Sequence, residues 1–305
     1  MTAGKTLTIN GYITSEFSHL NAANGFTANH LGSADDPASV GNPDIGDLII
    51  QGGGTVVLTG APDNTIRSNM LNTYGGITWI NDGTVKIASA GTSATGALGT
   101  HRSWIDGTII GANGTLELAT TSDPYIYEWL TFRGRGYEGR GTIITTGTGR
   151  TIRLNGQMYV DSDMLVNNTN SSSIRFGEAG GALYGTGDIA RTGNGEFYLY
   201  VNAPDWTGRL LNGSGNTRLY GSASLQGMTS MSLDRNTYFG YGAGGTTIDE
   251  FRDRLNDNLA VSINGYSKMR LEASNGVFSG IEKVGVVTVN GGVFNIEYDL
   301  GVLKP

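Results

Sequence analysis

The sequence contains no cysteine, which excludes disulfide bridges, thiolate metal sites and thiol nucleophiles together. Proline occurs only six times, and charged residues make up only 15% of the chain. The net charge is −7 and no run of basic residues occurs. Nucleic acid is therefore not an expected partner, because neutralisation of phosphates dominates such binding. No apolar run approaches the ~20 residues of a membrane-spanning helix, so no transmembrane segment is predicted.

Glycine is what the chain has in excess, with 49 of 305 residues, more than twice the usual share of about 7%. Disordered chains are poor in aromatic and β-branched residues. Here 38% of the residues are apolar, and 14 Tyr and 9 Phe are spread along the chain. We therefore predict an ordered all-β protein with many turns.

A short unit recurs along the chain: a strand, a turn on Asn-Gly or a close variant, and a second strand. The segment NTYGGITWINDGTVKI, residues 72–87, is one copy, with its turn at Gly83. Other copies share the turn glycine, at Gly11, Gly114, Gly156, Gly213, Gly265 and Gly291. The glycines are unevenly spaced, as in a solenoid whose coils carry loops of different length.

Two architectures fit this unit. Asn-Gly between alternating strands is typical of two-residue hairpins, which would build an antiparallel sandwich. However, the runs TVVLTG (55–60) and VGVVTV (284–289) are apolar on both faces, as in strands buried in a parallel stack. Turns such as GSGN (213–216) also exceed two residues. We predict a parallel β-solenoid with about ten to fourteen coils of roughly 20–30 residues each.

Three regions interrupt the pattern. None of them has the composition of a linker between domains, so we predict one continuous β-solenoid over residues 1–305. Residues 15–47 are rich in turn formers and are expected to form a long loop or an N-terminal cap over the edge of the first coil. Residues 247–256 begin with a capping box and carry apolar residues at helical spacing, which predicts one short helix. Residues 120–141 bring aromatic and basic side chains together.

Four segments follow one another in the order of a known repeat: GTVVLTG (54–60), NTYGGITWI (72–80), NDGTVKI (81–87) and GALG (96–99). They resemble the passenger-associated transport repeat of bacterial autotransporters, and a looser copy spans residues 193–227. The resemblance implies a single-stranded right-handed parallel β-helix that is exported to the bacterial cell surface. It also implies a role as a stalk, an adhesin or a structural passenger.

No combination of residues in the sequence points to a bound metal or cofactor. The three histidines have no second ligand at metal-binding spacing, and no acid-rich calcium loop occurs. A Gly-x-Ser-x-Gly element is also absent. Asp161 and Asp163 lie on one side of a strand and are the pair that a polysaccharide-cutting β-helix would use. A turn or a polar surface explains them more simply, so no catalytic residue is predicted.

The candidate contact with a partner lies between residues 125 and 140. Tyr125, Tyr127 and Trp129 alternate and share one face if the segment is extended. Arg133 and Arg135 follow. Flat aromatic faces beside hydrogen-bond donors bind sugar rings or other proteins. The alternative is an aromatic stack inside the solenoid.

We therefore expect a non-enzymatic, extracellular structural protein of the bacterial surface, either an adhesin stalk or a self-associating subunit of a filament or layer. Its partners would be copies of itself, joined head to tail through unpaired strand edges, or a surface glycan or protein. The alternatives are a polysaccharide-degrading and a carbohydrate-binding β-helix protein.

Overall fold

The computed structural model describes residues 4–9, 48–59, 77–88, 98, 107–169, 171–241, 254–272 and 283–297. These residues form 22 strands and a short 3-10 turn at Tyr137–Gly139. Every ladder between two named strands is parallel. The strands stack as a β-solenoid of about seven turns. Within the described ranges, no helix has the length and apolar character needed to span a membrane.

The strands belong to two sheets of fourteen and eight strands, which the chain visits in turn. Sheet A contains β1 (Thr6–Ile9), β2 (Leu48–Ile50), β3 (Thr55–Leu58), β4 (Thr78–Ile87), β5 (Thr108–Leu118), β7 (Leu130–Gly134), β8 (Ile143–Thr145), β10 (Met158–Asn168), β12 (Leu183–Gly185), β13 (Ile189–Thr192), β15 (Arg209–Asn212), β17 (Ser230–Leu233), β19 (Ala260–Asn264) and β21 (Val287–Asn290). Sheet B contains β6 (Tyr125–Ile126), β9 (Thr151–Leu154), β11 (Ser173–Phe176), β14 (Glu196–Leu199), β16 (Asn216–Leu219), β18 (Tyr238–Tyr241), β20 (Lys268–Glu272) and β22 (Val293–Glu297).

Sheet A is folded along its length, because three long strands turn a corner of the coil. The first halves of β4, β5 and β10 pair with the short strands β2, β7 and β12. Their second halves pair with β3, β8 and β13. Each of these coils therefore has three faces: the two parts of sheet A, and sheet B.

The segment that could be read as a hairpin is one such bent strand. β4 continues through Asn81, Asp82 and Gly83 without reversing its direction, and both of its halves lie parallel to β5. Gly83 has a φ of 103°, which favours glycine. A Cβ at this position would collide with the carbonyl oxygen of Gly54 in the neighbouring strand. The Asp82-Gly83 pair therefore forms a corner, and the antiparallel alternative is wrong.

The length of a coil agrees with the sequence, but the number of coils does not. From β9 onwards, neighbouring strands of sheet B begin 20 to 30 residues apart along the chain. The expected ten to fourteen coils exceed the seven turns of the described part. That expectation counted coils over all 305 residues, whereas the seven turns are those of the described ranges, in which sheet A stacks eleven strands in succession.

The interior consists of side chains stacked in register from coil to coil. Strands β9, β11, β14 and β16 each alternate half-buried and buried positions. One inward position of sheet B is occupied over six successive strands by Ile152, Ile174, Phe197, Thr217, Phe239 and Met269, all of them fully buried. Burial of each large apolar side chain contributes about 1.5–3 kcal/mol, so this stack is a main source of stability.

A buried arginine joins two successive corners. Arg191 on β13 is 2% exposed. Its guanidinium donates to the Asn212 side-chain oxygen at 3.3 Å and to the Ser214 carbonyl at 2.6 Å, and it also donates to the Gly195 carbonyl. Burial lowers the pKa of Arg191 to about 10, although Glu196 opposes this effect. The group remains charged at neutral pH, and these oxygen atoms compensate its charge.

The sequence-predicted helix and cap fall largely outside the described residues. Residues 15–47 lie outside them altogether, as do 247–253. Arg254 and Leu255 are described and are not helical: Leu255 bridges Leu225 in parallel, and the Leu225 amide donates to the Arg254 carbonyl. The prediction of a helix over residues 247–256 is therefore wrong at its C-terminal end. Pairing with the neighbouring coil outweighs the weak preference of so short a helix.

Gly185→Ala should lower the thermal stability of the protein considerably more than Gly180→Ala. The two glycines have nearly the same φ, 106° and 109°, so each replacement carries a similar strain of about 1–3 kcal/mol. A Cβ on Gly185 would collide with the backbone of Val160 in the preceding coil, whereas a Cβ on Gly180 has no atom within 4 Å. Thermal unfolding followed by circular dichroism measures the difference. Equal midpoints would contradict the close approach of the two coils.

Candidate functional site

The three aromatic residues singled out in the sequence face outward. Tyr125, Tyr127 and Trp129 are exposed or half-buried, whereas the intervening Ile126 and Glu128 are buried. The rings of Tyr125 and Tyr127 are stacked, with their centres 6.3 Å apart and their planes 13° from parallel. The alternative of an aromatic stack inside the solenoid is therefore wrong for this segment.

The two arginines predicted to act with them belong to a different part of the coil. Arg133 and Arg135 lie on or just after β7 of sheet A, and each forms an ion pair with an aspartate of β10. The Arg133 Nε atom lies 2.8 Å from Asp161 Oδ2, and the Arg135 Nη2 atom lies 3.6 Å from Asp163 Oδ2. Asp163 also accepts a hydrogen bond from the Asp188 amide at 3.3 Å. The predicted five-residue group is thus divided between two sheets.

The arginine beside Tyr125 is Arg153, which the sequence analysis did not single out. It lies opposite Tyr125 on the next strand of sheet B, and its guanidinium carbon is 4.5 Å from the centre of the ring. The same outward position on the following strands is occupied by Arg175, Tyr198, Arg218, Gly240 and Arg270. Tyrosines and arginines therefore form a line across sheet B.

We refer to this surface as the Tyr–Arg strip. Its members are the arginines and tyrosines of sheet B and its flanks whose rings or guanidinium groups contact one another. They are Tyr125, Tyr127, Arg153, Arg175, Tyr198, Tyr200, Arg218, Tyr220 and Tyr238. The strip arises because the strands TIRL, SIRF, EFYL and NTRL bury their second and fourth residues and turn the other two outward.

Each arginine of the strip lies over a tyrosine ring. The distances from guanidinium carbon to ring centre are 4.5 Å for Arg153 and Tyr125, 5.3 Å for Arg175 and Tyr198, and 5.3 Å for Arg218 and Tyr238. Cation–π contacts at exposed sites contribute about 0.5–1 kcal/mol each. They also hold the planar guanidinium groups in fixed orientations, which prepares them to bind a planar anion.

Like charges directly opposite each other destabilise a sheet, and the strip contains one such pair. Arg153 lies opposite Arg175. Glu178 bridges them: its Oε2 atom accepts from Arg153 Nε at 2.5 Å, and its Oε1 atom accepts from Arg175 Nη1. Further along the sheet, Tyr198 separates Arg175 from Arg218.

Three tyrosines form the centre of the strip. The rings of Tyr198 and Tyr220 meet edge to face with centres 5.0 Å apart, and Tyr220 stacks on Tyr200 at 5.2 Å. Partial burial raises the pKa of Tyr200; Arg175 opposes this shift and Glu178 adds to it. The Tyr200 hydroxyl therefore remains protonated at neutral pH and can donate a hydrogen bond.

Near β18, the strip ends at two basic side chains, Arg218 and Lys268, and the nearby carboxylate of Glu196 accepts a hydrogen bond from the Asn216 side chain at 3.3 Å. No carboxylate among the described residues forms an ion pair with Arg218 or Lys268. Lys268 is exposed and lies opposite Tyr238. The positive charges of these two basic side chains contrast with the net charge of the chain, which is −7.

Metal-binding groups are not part of this surface. In the portions of the chain that the structure describes, no cluster of three or more His, Asp or Glu side chains could hold a metal ion. The strip offers guanidinium groups, hydroxyls and aromatic rings, which recognise ligands by charge, hydrogen bonding and stacking.

The sequence contains a pattern that predicts the strip, and this pattern lies in the strands and not in the turn glycines. The strands TIRL, SIRF and KMRL share one pattern, in which an arginine stands between two apolar residues, and NTRL differs only in having a buried threonine before its arginine. The pattern recurs at the spacing of the coils or at twice that spacing. Aligning the strands instead of the turn glycines would have placed Arg153, Arg175, Arg218 and Arg270 in one row.

Searches against protein-family models, curated proteins and solved structures found no match for the chain. The parallel β-solenoid is shown by the structure. The resemblance to the autotransporter repeat rests on the segments at residues 54–60, 72–80, 81–87 and 96–99.

Glu178→Gln should destabilise the protein by about 1–2 kcal/mol, since it leaves two arginines side by side without a shared carboxylate. Added salt should reduce the loss by screening their repulsion. Urea unfolding at low and high salt measures both effects. The matched control is Asp161→Asn, which removes an exposed pair containing a single arginine and should cost at most about 1 kcal/mol. A Glu178→Gln effect no larger than the control would contradict the bridging role.

Proposed function

We propose that the chain is a non-enzymatic structural protein of the bacterial cell surface, an adhesin stalk or a subunit of a filament or layer. The observation that supports this proposal is the uninterrupted parallel stack of coils. Each coil contacts only its neighbours, so the solenoid is an extended body whose useful properties are its length and its long lateral faces. The resemblance to the autotransporter repeat supports the extracellular location.

Self-association is the mechanism by which such a body would build a filament. Among the described residues, β21 pairs only with β19, and β22 pairs only with β20. Val289 lies opposite the fully buried Ile263, yet 46% of its surface is exposed. Val286 and Val293 are also exposed. An unpaired strand edge beside exposed apolar residues is a surface to which a coil of a second copy can add.

Val289→Lys should weaken this head-to-tail association, because it places a charge at the end of the apolar stack. Sedimentation velocity over a wide range of protein concentrations, together with negative-stain microscopy, measures assembly. The control is Thr186→Lys, which adds the same charge at an exposed position in the middle of the solenoid and should leave assembly unchanged. A wild-type protein that stays monomeric at the highest concentration would remove the filament version of the proposal.

A polysaccharide-degrading enzyme is the alternative function, with Asp161 and Asp163 as its acids. Their ion pairs with Arg133 and Arg135 favour a structural role at the corner of the coil. We therefore expect the wild type to release no products from a panel of neutral and acidic glycans. Products that disappear in the double variant Asp161→Asn with Asp163→Asn would support the enzyme instead.

A further inference from the structure

We propose that the Tyr–Arg strip binds an acidic polysaccharide that runs across the strands of sheet B, parallel to the axis of the solenoid. This proposal goes beyond the structural role, and it does not depend on whether the solenoid self-associates. The ligand class is a chain of sugars that carry carboxylate or sulfate groups.

The fold itself does not require this set of side chains. Outward positions of sheet B need only to be polar, and the row next to the arginines shows this with Thr151, Ser173, Glu196 and Asn216. The strip instead places two arginines on adjacent strands, an arrangement that needs Glu178 to offset the repulsion. Because stacking of the coils does not explain this arrangement, a ligand is the better explanation.

The chemistry of the strip matches that of an acidic sugar. A guanidinium binds a carboxylate or sulfate through two parallel hydrogen bonds. Tyrosine rings pack against the apolar faces of sugars, and their hydroxyls bond to sugar hydroxyls. Arg175, Tyr198 and Arg218 alternate these two functions on three consecutive strands.

The length of the strip suits a polymer. It extends over six neighbouring strands of sheet B, from β6 to β18. At a spacing of ~4.8 Å between strands, this distance is roughly 24 Å, which is long enough to contact several sugar units at once. Several weak contacts along one chain add to a useful affinity even on a surface without a deep cavity.

Charge favours an acidic polysaccharide over a neutral one and over nucleic acid. Arg218 and Lys268, which have no acidic partner among the described residues, are available to an anion. Nucleic acid would require many phosphate contacts, but the strip offers three arginines, two of which share Glu178, on a chain of net charge −7.

The experiment measures binding of the full chain to polygalacturonate, alginate and dextran sulfate, with neutral dextran as the uncharged probe, by isothermal titration calorimetry. We expect at least one acidic polymer to bind and neutral dextran not to bind. Arg218→Ala and Tyr198→Ala should each weaken binding about tenfold. Arg133→Ala, which removes an arginine of sheet A, should leave binding unchanged.

Two further measurements keep the result interpretable. Thermal unfolding shows that each variant is folded, and Arg218→Lys, which keeps the charge but loses the planar group, should bind with intermediate affinity. Failure of all three acidic polymers to bind would overturn the proposal, as would an equal loss in Arg133→Ala. Tighter binding of single-stranded DNA at the same residues would also overturn it. Sedimentation of Arg218→Ala separates this proposal from self-association, which the variant should not affect.

Discussion

The structure depends on one constraint: consecutive coils must lie close enough for their backbones to form hydrogen bonds along the whole stack. In the parallel ladders, each coil obtains hydrogen-bond partners only from the coils before and after it. The corners are the places where this is most difficult. Gly83, Gly185 and Gly193 have positive φ values, and a Cβ at any of them would collide with the backbone of the adjacent coil. The high glycine content is therefore a requirement of close stacking.

Exact stacking also has a consequence for the surface, because residues at equivalent positions of successive coils become direct neighbours. Inside, this places Phe197 opposite Ile174, and the Phe197 ring also meets the ring of Phe176, with centres 4.8 Å apart. Outside, it aligns arginines and tyrosines into a strip that no single coil contains. A solenoid can thus build a long binding surface from a short pattern that recurs, without a pocket. The same geometry brings Arg153 and Arg175 together, and Glu178 offsets their repulsion, whereas Tyr198 separates Arg175 from Arg218.

Polar side chains at the corners also contact their counterparts in the coils before and after them. The Asp163 side chain accepts from the Asp188 amide, and Asp188 in turn pairs with Arg209 of the following coil. At another corner, the Asn264 side chain donates to Asp234, and the Asn290 side chain donates to Asn264. Acids that look like a catalytic pair in the sequence therefore belong to ladders that connect coils, and their partners come from residues roughly one coil away.

The sequence alone determined the class of the fold, because alternating apolar residues, corner glycines and runs that are apolar on both faces are local features. It also showed that Tyr125, Tyr127 and Trp129 face one way, since side chains alternate along an extended chain. It did not determine which residues of different coils become neighbours, because that depends on register and on loops of unequal length. Only the tertiary structure paired Arg133 with Asp161, placed Arg153 over Tyr125 and turned Leu255 into a bridge with Leu225. Those contacts join residues 28 to 30 positions apart along the chain, and the alternation within a single strand does not indicate which residue of the next coil will lie opposite.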